Sequence, residues 1–223
     1  MGGIKSLALK YKTPLSFIYR GLKRNSFKVG RGNALLIKGV YVEYTQIVMK
    51  GNGNEVGLSS EGLSRLSHCK INILGNNNKI IIGANVKLFN CIINIENDGN
   101  IIVIGDRSTI AGDTELAAIE GTKINIGEDC MFASDITIRT GDSHSVVDAN
   151  SGIRCNSSKD IIVSDHVWVG HSVIILKGSN IGQDSVIATG SVVCGITSEP
   201  NSIIGGNPAK VIKKGISWKR ERI

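Results

Sequence analysis

The last third of the chain carries an aliphatic residue at every sixth position. This series runs without a gap through Val163, Val169, Ile175, Ile181, Ile187 and Val193. Four residues after each of them stands a small or β-branched residue, namely Val167, Val173, Ser179, Ser185, Ser191 and Thr197. A period of six fits neither the period of an α-helix nor one uninterrupted alternating strand. It predicts a solenoid in which each unit forms one short strand and one corner, and three units close a coil.

The same pattern occurs earlier in the chain, with interruptions. Ile82, Ile104 and Ile126 follow one another at intervals of 22 residues, which fits a coil of about eighteen residues with a short insertion at a corner. The composition agrees, because 27 glycines and only 4% aromatic residues favour thin strands and tight corners over a helix bundle. We therefore predict an all-β solenoid over residues 36–205, followed by a basic C-terminal tail over residues 206–223.

The N-terminal segment, residues 1–35, follows a different pattern. Its apolar residues recur at spacings of three and four, with lysines and arginines between them: Ile4, Leu7, Tyr11, Leu15, Ile18 and Leu22. This spacing predicts a basic amphipathic helix, which Pro14 kinks or divides. Two roles remain open for it, a cap that packs on the first coil or a peripheral contact with an anionic membrane surface.

Charge and cysteine content exclude several classes of protein. The formal net charge is +7, but the basic residues gather at the two ends and no aromatic residues alternate with them, which argues against nucleic-acid binding. The five cysteines form no C-x-x-C pair, which argues against a disulfide framework and a thiolate zinc site. No apolar run approaches the roughly 18 residues of a membrane span. We expect a soluble cytoplasmic protein, at the inner face of the membrane if residues 1–35 adsorb there.

The repeat fails between residues 140 and 160 and returns at Ile161. A long polar loop that leaves a rigid solenoid is a usual place for function. His144 lies in this loop, and its imidazole suits a general base because it titrates near neutral pH. An exposed loop histidine without further context is more often inert.

Further context comes from the sequence around the loop. The hexapeptide run, the His144 loop and Val-Trp-Val-Gly at 167–170 together resemble the hexapeptide-repeat acyltransferases, and Ile-Ile-Gly-Gly-Asn-Pro-Ala-Lys-Val-Ile at 203–212 is similar to that family's terminating motif. The resemblance covers roughly residues 70–215. A Ser-His-Ser loop with a tryptophan 24 residues later most resembles the capsular polysaccharide and sialic acid O-acetyltransferases. The resemblance implies a left-handed parallel β-helix, a homotrimer, acetyl-CoA in a cleft between neighbouring solenoids, and a carbohydrate acceptor.

The resemblance also implies roles for the residues of the loop. His144 takes the proton from an acceptor hydroxyl as this hydroxyl attacks the thioester, so that no acyl-enzyme forms. Proximity to His144 in the sequence, rather than the resemblance, suggests the secondary roles: Ser143 or a backbone N–H to stabilise the oxyanion, and Asp142 or Asp148 to orient the imidazole or hold the sugar. Trp168 lies beside the thiol end of acetyl-CoA or beside the acceptor.

Further positions of the family motif are expected to bind the cosubstrate. The resemblance places Gly190 and Ser191 at the pantetheine arm, Pro208 in the terminating motif, and Lys210 and Lys213 near the phosphates of CoA. For the lysines alone, a solvated tail is the simpler interpretation.

The acceptor is less well defined by the sequence. Arg139, which we assign to substrate binding with Asp148 and Trp168, and the nearby Arg154 favour an anionic acceptor such as a sialylated or uronic-acid polymer. N-acetylation of a nucleotide sugar remains open.

Two other classes share this fold. His166 and His171, joined by His144, are compatible with the three-histidine zinc site of a γ-class carbonic anhydrase, but the Gly-Asn-Pro-Ala ending favours the transferase and we predict no metal. A non-catalytic scaffold would show a clean repeat without an inserted loop, whereas here the loop is present.

Overall fold

The structure, a computed structural model, describes residues 24–37, 40–59 and 61–223. In this part the chain forms 24 strands, numbered in chain order, and no helix. The strands wind into a three-sided solenoid, because each coil gives one strand to each of three parallel sheets, called here faces A, B and C. The predicted fold is confirmed, and the molecule is a left-handed parallel β-helix.

The strands stack as follows. Face A contains β1 (Ser26–Val29), β4 (Gln46–Lys50), β7 (Lys70–Leu74), β10 (Cys91–Glu96), β13 (Thr114–Ile119), β16 (Thr137–Arg139), β19 (Ile174–Leu176) and β22 (Val192–Cys194). Face B contains β2 (Ala34–Ile37), β5 (Glu55–Leu58), β8 (Lys79–Ile82), β11 (Ile101–Ile104), β14 (Lys123–Ile126), β17 (Ile161–Val163) and β20 (Asn180–Ile181). Face C contains β3 (Tyr41–Glu43), β6 (Arg65–Ser67), β9 (Lys87–Phe89), β12 (Thr109–Ile110), β15 (Met131–Phe132), β18 (Trp168–Val169), β21 (Val186–Ile187), β23 (Ser202–Gly206) and β24 (Ala209–Lys214). β24 pairs with β23 in antiparallel orientation and ends the parallel stack.

The six-residue repeat forms the core of the solenoid. All six aliphatic residues of the series are fully buried, and five of the six companion residues are buried too, Thr197 being the exposed exception. On face B, Ile82, Ile104, Ile126, Val163 and Ile181 stand in register on successive strands. Branched aliphatic side chains thus fill the interior as continuous ladders, which bury an apolar surface that no single coil can bury alone.

The corners of the solenoid turn through the left-handed backbone region. The corner between faces B and C does so at Gly62, Asn85, Arg107, Asp129, His166, Asp184 and Asn201. The corner between faces C and A does so at Tyr44, His68, Asn90, Asp113, Asp135, Ser172 and Gly190. Glycine, asparagine and aspartate tolerate this conformation better than other residues, which explains why they recur at these positions.

A ladder of buried polar side chains supports the third corner, between faces A and B. The side-chain amide of Asn78 donates to Oδ1 of Asn54 at 3.1 Å, and that of Asn100 donates to Oδ1 of Asn78 at 3.0 Å. The ladder continues through Thr122, whose hydroxyl lies 2.6 Å from that of Thr140. These side chains are almost completely buried and mutually satisfied, so this corner is rigid up to Thr140.

Both predicted boundaries of the solenoid differ from the structure. β1 and β2 begin within the segment that the sequence assigns to a helix, because Phe27 and Val29 alternate inward and pack on the core. The solenoid therefore begins by Ser26, before the predicted start at residue 36. The rest of the predicted helix, residues 1–23, lies outside the described residues. The predicted tail opens with β24, so only its final residues lack regular structure. Across the described ranges, no helix has the length and apolarity to traverse a bilayer.

Candidate active site

The His144 loop is a closed excursion from the corner between faces A and B. It leaves after β16 and returns to β17, and the N–H of Lys159 donates to the carbonyl of Thr140 at 2.9 Å. The next coil keeps its register across the insertion, since Ile126 still pairs with Val163. Within the loop, Val147 and Arg154 form an antiparallel bridge. The insertion is thus a small hairpin that projects from the rigid corner.

Asn156 fixes the backbone around His144. Its amide nitrogen donates to the carbonyl of His144 and to Oδ2 of Asp142, both at 2.8 Å. Its Oδ1 accepts from the N–H of Val146 at 2.8 Å and from Nε of Arg154 at 3.0 Å. One side chain therefore ties the two arms of the hairpin together and leaves His144 exposed between the tied points. The sequence analysis missed Asn156, because nothing in the pattern marks it among the other polar loop residues.

Asp142 anchors the base of the loop. Its Oδ2 accepts from Nζ of Lys177 at 2.5 Å, and Lys177 also donates to the carbonyl of Asn156 at 2.9 Å. The hydrogen bond from Lys177, with that from Asn156, lowers the pKa of Asp142 below its ordinary value. The Asp142 carboxylate accepts hydrogen bonds from these two side chains. It therefore supports the loop that carries His144.

Asp148 lies at the tip of the hairpin. Its Oδ1 accepts from the backbone N–H groups of Asn150 and Ser151 at 3.1 and 2.8 Å and from the Ser151 hydroxyl at 2.9 Å. These bonds, led by the one from the Ser151 N–H, lower the pKa of Asp148. The carboxylate caps the turn and so shapes the loop.

Ser143 and Arg139 share a small polar cavity beneath the loop. The cavity has a volume of about 90 Å³, and Asn94 and Glu115 also line it. Glu115 accepts from Nη2 of Arg139 at 2.7 Å and from the amide of Asn94 at 3.0 Å. The structure therefore brings two of the predicted site residues together, with the charge of Arg139 balanced by Glu115.

Arg154 is also paired. Its guanidinium lies 2.6 Å from Oε1 of Glu120, and the hydroxyl of Ser158 donates to the same carboxylate at 2.7 Å. The hydrogen bond from Arg154, followed by that from Ser158, lowers the pKa of Glu120 to about 2. This pair ties the returning arm of the loop to the solenoid below it.

Trp168 lies on face C, away from the loop. It stands in β18 between Met131 and Val186 of the adjacent strands and is 39% exposed. The ring of Trp218 lies 6.1 Å from it, stacks on His166 at 4.2 Å, and donates from Nε1 to the His166 carbonyl at 2.8 Å. The end of the chain thus packs beside Trp168, which the sequence analysis did not foresee when it assigned a basic tail there.

Arg220 holds this end of the chain on face C. Its guanidinium donates to Oδ1 of Asp129 at 3.0 Å, to the Thr109 hydroxyl at 3.1 Å and to the carbonyl of Cys130 at 3.0 Å. The last residues therefore run along the corner between faces B and C and form one wall beside the outer surface of face C.

The residues predicted to bind the cosubstrate lie near the C-terminal end of the solenoid. Gly190 turns the corner between faces C and A, with its N–H bonded to the carbonyl of His171 at 2.8 Å. The Ser191 hydroxyl is buried and donates to the carbonyl of Ala188 at 2.6 Å, which leaves it a structural contact.

The terminating motif forms the final hairpin. Pro208 occupies the turn between β23 and β24, and Lys210 and Lys213 are exposed on β24. The two lysines thus project from an ordered strand, where the sequence analysis weighed a solvated tail.

The two remaining histidines lie at separate corners. Nδ1 of His166 lies 2.8 Å from Oδ1 of Asp184, at the corner between faces B and C. Nδ1 of His171 contacts the carbonyl of Ser134 at 2.9 Å, next to the corner between faces C and A. Among the described residues, no group of three or more His, Cys, Asp or Glu side chains is placed to bind a metal ion.

His144 and Trp168 do not face one another within one chain. The loop projects from the corner between faces A and B, which is the corner opposite face C in a three-sided solenoid. A site that uses both residues therefore requires a second copy of the chain.

Comparison with known proteins gives a consistent result. No family model matches the chain. A polysialic acid O-acetyltransferase of Neisseria meningitidis is 32% identical over 192 residues, which cover 77% of this chain and 88% of that protein. The crystal structure of the polysialic acid O-acetyltransferase OatWY has a TM-score of 0.82 at 31% identity and covers 89% of this chain and 92% of its own. The crystal structure of the polySia-specific acetyltransferase NeuO has a TM-score of 0.80 at 33% identity and covers 88% of this chain and 89% of its own.

Relatives that match the left-handed β-helix over most of its length are O-acetyltransferases, and the protein is an acyltransferase. The chain belongs to the hexapeptide-repeat acyltransferases, the family of these relatives. The resemblance drawn from the sequence is confirmed.

Proposed function

We propose that the protein transfers an acetyl group from acetyl-CoA to a hydroxyl of a carbohydrate, with His144 as the general base. The observation that carries the proposal is that hydrogen bonds hold the backbone of His144 in an ordered loop on the solenoid. The relatives that match this solenoid over most of their length are polysialic acid O-acetyltransferases. The names of these relatives favour O-acetylation over the N-acetylation of a nucleotide sugar.

The chemistry requires one base and no covalent enzyme intermediate. The His144 imidazole accepts the proton of the acceptor hydroxyl while the oxygen attacks the thioester carbonyl. The tetrahedral intermediate then collapses, the C–S bond breaks, and the imidazolium returns the proton to the departing thiolate. Ser143 or a backbone N–H near it stabilises the oxyanion. Asn156 keeps the backbone of His144 in place and so positions the base.

The enzyme is proposed to act as a homotrimer. In a threefold arrangement, each copy presents its His144 loop to the face C of a neighbour, which carries Trp168. Such a cleft between flat faces also supplies the concave site that a single prism lacks. Acetyl-CoA would lie in this cleft, with Gly190 and the Ser191 backbone along its pantetheine arm, and with Lys210 and Lys213 of the final hairpin near its phosphates.

The chemical proposal is tested by thiol release from acetyl-CoA in the presence of polysialic acid and other polysaccharides. We expect an acceptor-dependent signal that His144→Ala lowers by about 10²- to 10⁴-fold, the usual contribution of a general base. Asn150→Ala is the matched control, because Asn150 is exposed in the same loop and, within the described residues, only its backbone N–H forms a hydrogen bond. No turnover with any glycan, or equal activity in His144→Ala, would overturn the proposal.

The shared site is tested by mixing two inactive variants. His144→Ala and Trp168→Ala, refolded together in equal amounts, should regain about a quarter of the wild-type activity, because that share of the sites in a random cyclic trimer receives both intact residues. A monomer by light scattering, or no recovery in a mixture of confirmed trimers, would contradict a site built from two copies.

A further inference from the structure

Three aromatic rings stack at the corner between faces C and A in the early coils. The rings of Tyr44 and His68 are parallel, with centroids 4.7 Å apart, and the rings of His68 and Phe89 are tilted at 5.6 Å. Tyr44 is 46% exposed and Phe89 is 53% exposed. These three residues, called here the ring cluster, present an aromatic platform to solvent some distance from the His144 loop.

The ring cluster is placed there at a conformational cost. Tyr44 and His68 adopt φ angles of 48° and 57° at the corner position where later coils carry asparagine, aspartate, serine or glycine. Tyrosine is disfavoured in this region, and rings that stay about half exposed, such as Tyr44 and Phe89, gain little from burial. Folding alone does not account for aromatic residues at these positions, which points to recognition of a ligand.

A buried carboxylate holds the ring cluster in position. Glu43, which is 7% exposed, accepts hydrogen bonds from Arg65 at 2.6 Å and from the Ser67 hydroxyl at 2.9 Å. Because Ser67 gives its proton to Glu43, its oxygen accepts from Nδ1 of His68 at 3.0 Å. The hydrogen bond from Arg65, with that from Ser67, lowers the pKa of Glu43 to about 2, so the carboxylate stays ionised near neutral pH. The imidazole is therefore fixed parallel to Tyr44 before any ligand arrives.

An open pocket of about 460 Å³ adjoins the ring cluster on face C. Arg65, Lys87, Phe89, Thr109 and Ala111 are among the residues that line it. Lys87 is exposed and forms no ion pair within the described ranges. A pocket that combines an aromatic ring with cationic groups fits a sugar ring that carries a carboxylate, since the ring packs on the apolar face and the cations bind the charge.

The charge of the pocket also disfavours the N-terminal segment of this chain as its occupant. That segment carries Lys5, Lys10, Lys12, Arg20, Lys23 and Arg24, the same sign of charge as Lys87. An anionic ligand complements the pocket, whereas a segment rich in lysine and arginine would be repelled.

The pocket lies on the same face as Trp168. Lys87, Thr109, Met131 and Trp168 stand in register on four successive strands of face C, so Lys87 and Trp168 are about 14 Å apart along the solenoid. One sugar residue does not bridge this distance, but an oligosaccharide laid along face C does.

We propose that the ring cluster and its pocket bind acidic sugar residues of the same polymer that is acetylated beside Trp168. This inference rests on the proposed function and makes the acceptor an acidic polysaccharide, held at a second site remote from the transferred acetyl group. The pocket acts by raising the affinity for long acceptors, so its removal raises KM and leaves kcat unchanged.

The test compares a long acidic polymer with a di- or trisaccharide of the same sugar as acceptor. Tyr44→Asn replaces the ring with a residue that suits the positive φ, so the fold should be retained or stabilised. We expect Tyr44→Asn and Phe89→Ala to raise KM for the polymer about tenfold, a loss typical of one stacking contact or two. The values of kcat, KM for acetyl-CoA and KM for the short acceptor should stay unchanged.

Charge and direct binding are tested separately. Lys87→Gln should raise the polymer KM and weaken its dependence on salt, whereas Lys123→Gln, on face B, is the matched control and should change neither. Calorimetry on the His144→Ala variant should show polymer binding that Phe89→Ala weakens, which reports on the pocket without turnover.

Three results would overturn the inference. The first is an unchanged KM for the polymer in Tyr44→Asn and Phe89→Ala. The second is an equal change in KM for long and short acceptors. The third is a changed oligomeric state in Phe89→Ala, which would mark the ring cluster as an interface between copies. Failure of the proposed function itself looks different, because the wild-type enzyme then acetylates no carbohydrate of any length.

Discussion

Replacement of Asn156 by alanine should impair catalysis without unfolding the solenoid. The side chain makes four hydrogen bonds, all within the loop, that fix the backbone on both sides of His144. Asn156→Ala removes all four, so the loop no longer holds His144 in the geometry proposed for its contact with the acceptor. The core ladders of the solenoid do not include Asn156, so global stability should change little.

The size of the effect follows from these bonds. A hydrogen bond contributes about 0.5–1.5 kcal/mol net, and water partly replaces those of an exposed loop, so four bonds at the low end give about 2 kcal/mol. If the loop must be ordered in the transition state, about 2 kcal/mol lowers kcat about 30-fold. Asn156 makes none of the contacts proposed for acetyl-CoA at Gly190, Ser191 and the final hairpin, so KM for acetyl-CoA should be retained.

The assay is steady-state thiol release with a saturating acceptor, together with thermal unfolding of each variant. Asn150→Ala in the same loop should behave as the wild type, because its side chain ties nothing together. A wild-type kcat in Asn156→Ala would refute the role of the four Asn156 hydrogen bonds in ordering the loop. A parallel loss of several degrees in Tm would show that Asn156 supports the fold and that the kinetic effect is indirect.

Three further predictions concern stability. Gly75→Ala should cost at least about 2 kcal/mol in urea unfolding, because a Cβ there would lie 2.0 Å from a carbonyl oxygen of the next coil at a φ of 144°. Asn78→Ala should cost about 2–4 kcal/mol by the same measurement, since it breaks the ladder and takes from the buried backbone N–H of Asn100 its acceptor, Oδ1 of Asn78. Glu120→Gln should flatten the acid branch of stability: the lowered pKa of Glu120 means that its pairing with Arg154 stabilises the fold above about pH 4.5 and is lost as the pH falls towards 2, so wild type and variant should converge there. Unfolding curves that stay parallel down to pH 2 would contradict this pairing.

Much of the fold is readable from the sequence because the solenoid is periodic. The series from Val163 to Val193 predicted which residues fill the core, and the interval from Ile82 to Ile126 predicted the larger early coils. The solenoid already includes β1 before residue 36, and an alternating stretch as short as Ser26–Val29 does not stand out in the sequence beside a helical pattern. Periodicity locates repeated units well and isolated units poorly.

The site was less predictable than the fold. The break in the repeat located the His144 loop, but the contacts that order it join residues far apart in sequence, such as Asp142 and Lys177. The packing of Trp218 beside Trp168 joins the end of the chain to the middle and leaves no periodic signal. The placement of the His144 loop at one corner and of Trp168 on the opposite face depends on which face each strand joins, and the sequence repeat does not show this.

The closed ends of the His144 loop make this insertion exchangeable. Because Lys159 bonds to Thr140 and the coils above and below keep their register, the chain between them is a detachable module. A short turn joining these two residues would leave a folded but inert prism, and a different hairpin grafted there would face the same neighbouring surface. In a solenoid of this kind, the inserted loop can be replaced to suit another acceptor while the sequence of the core stays almost the same.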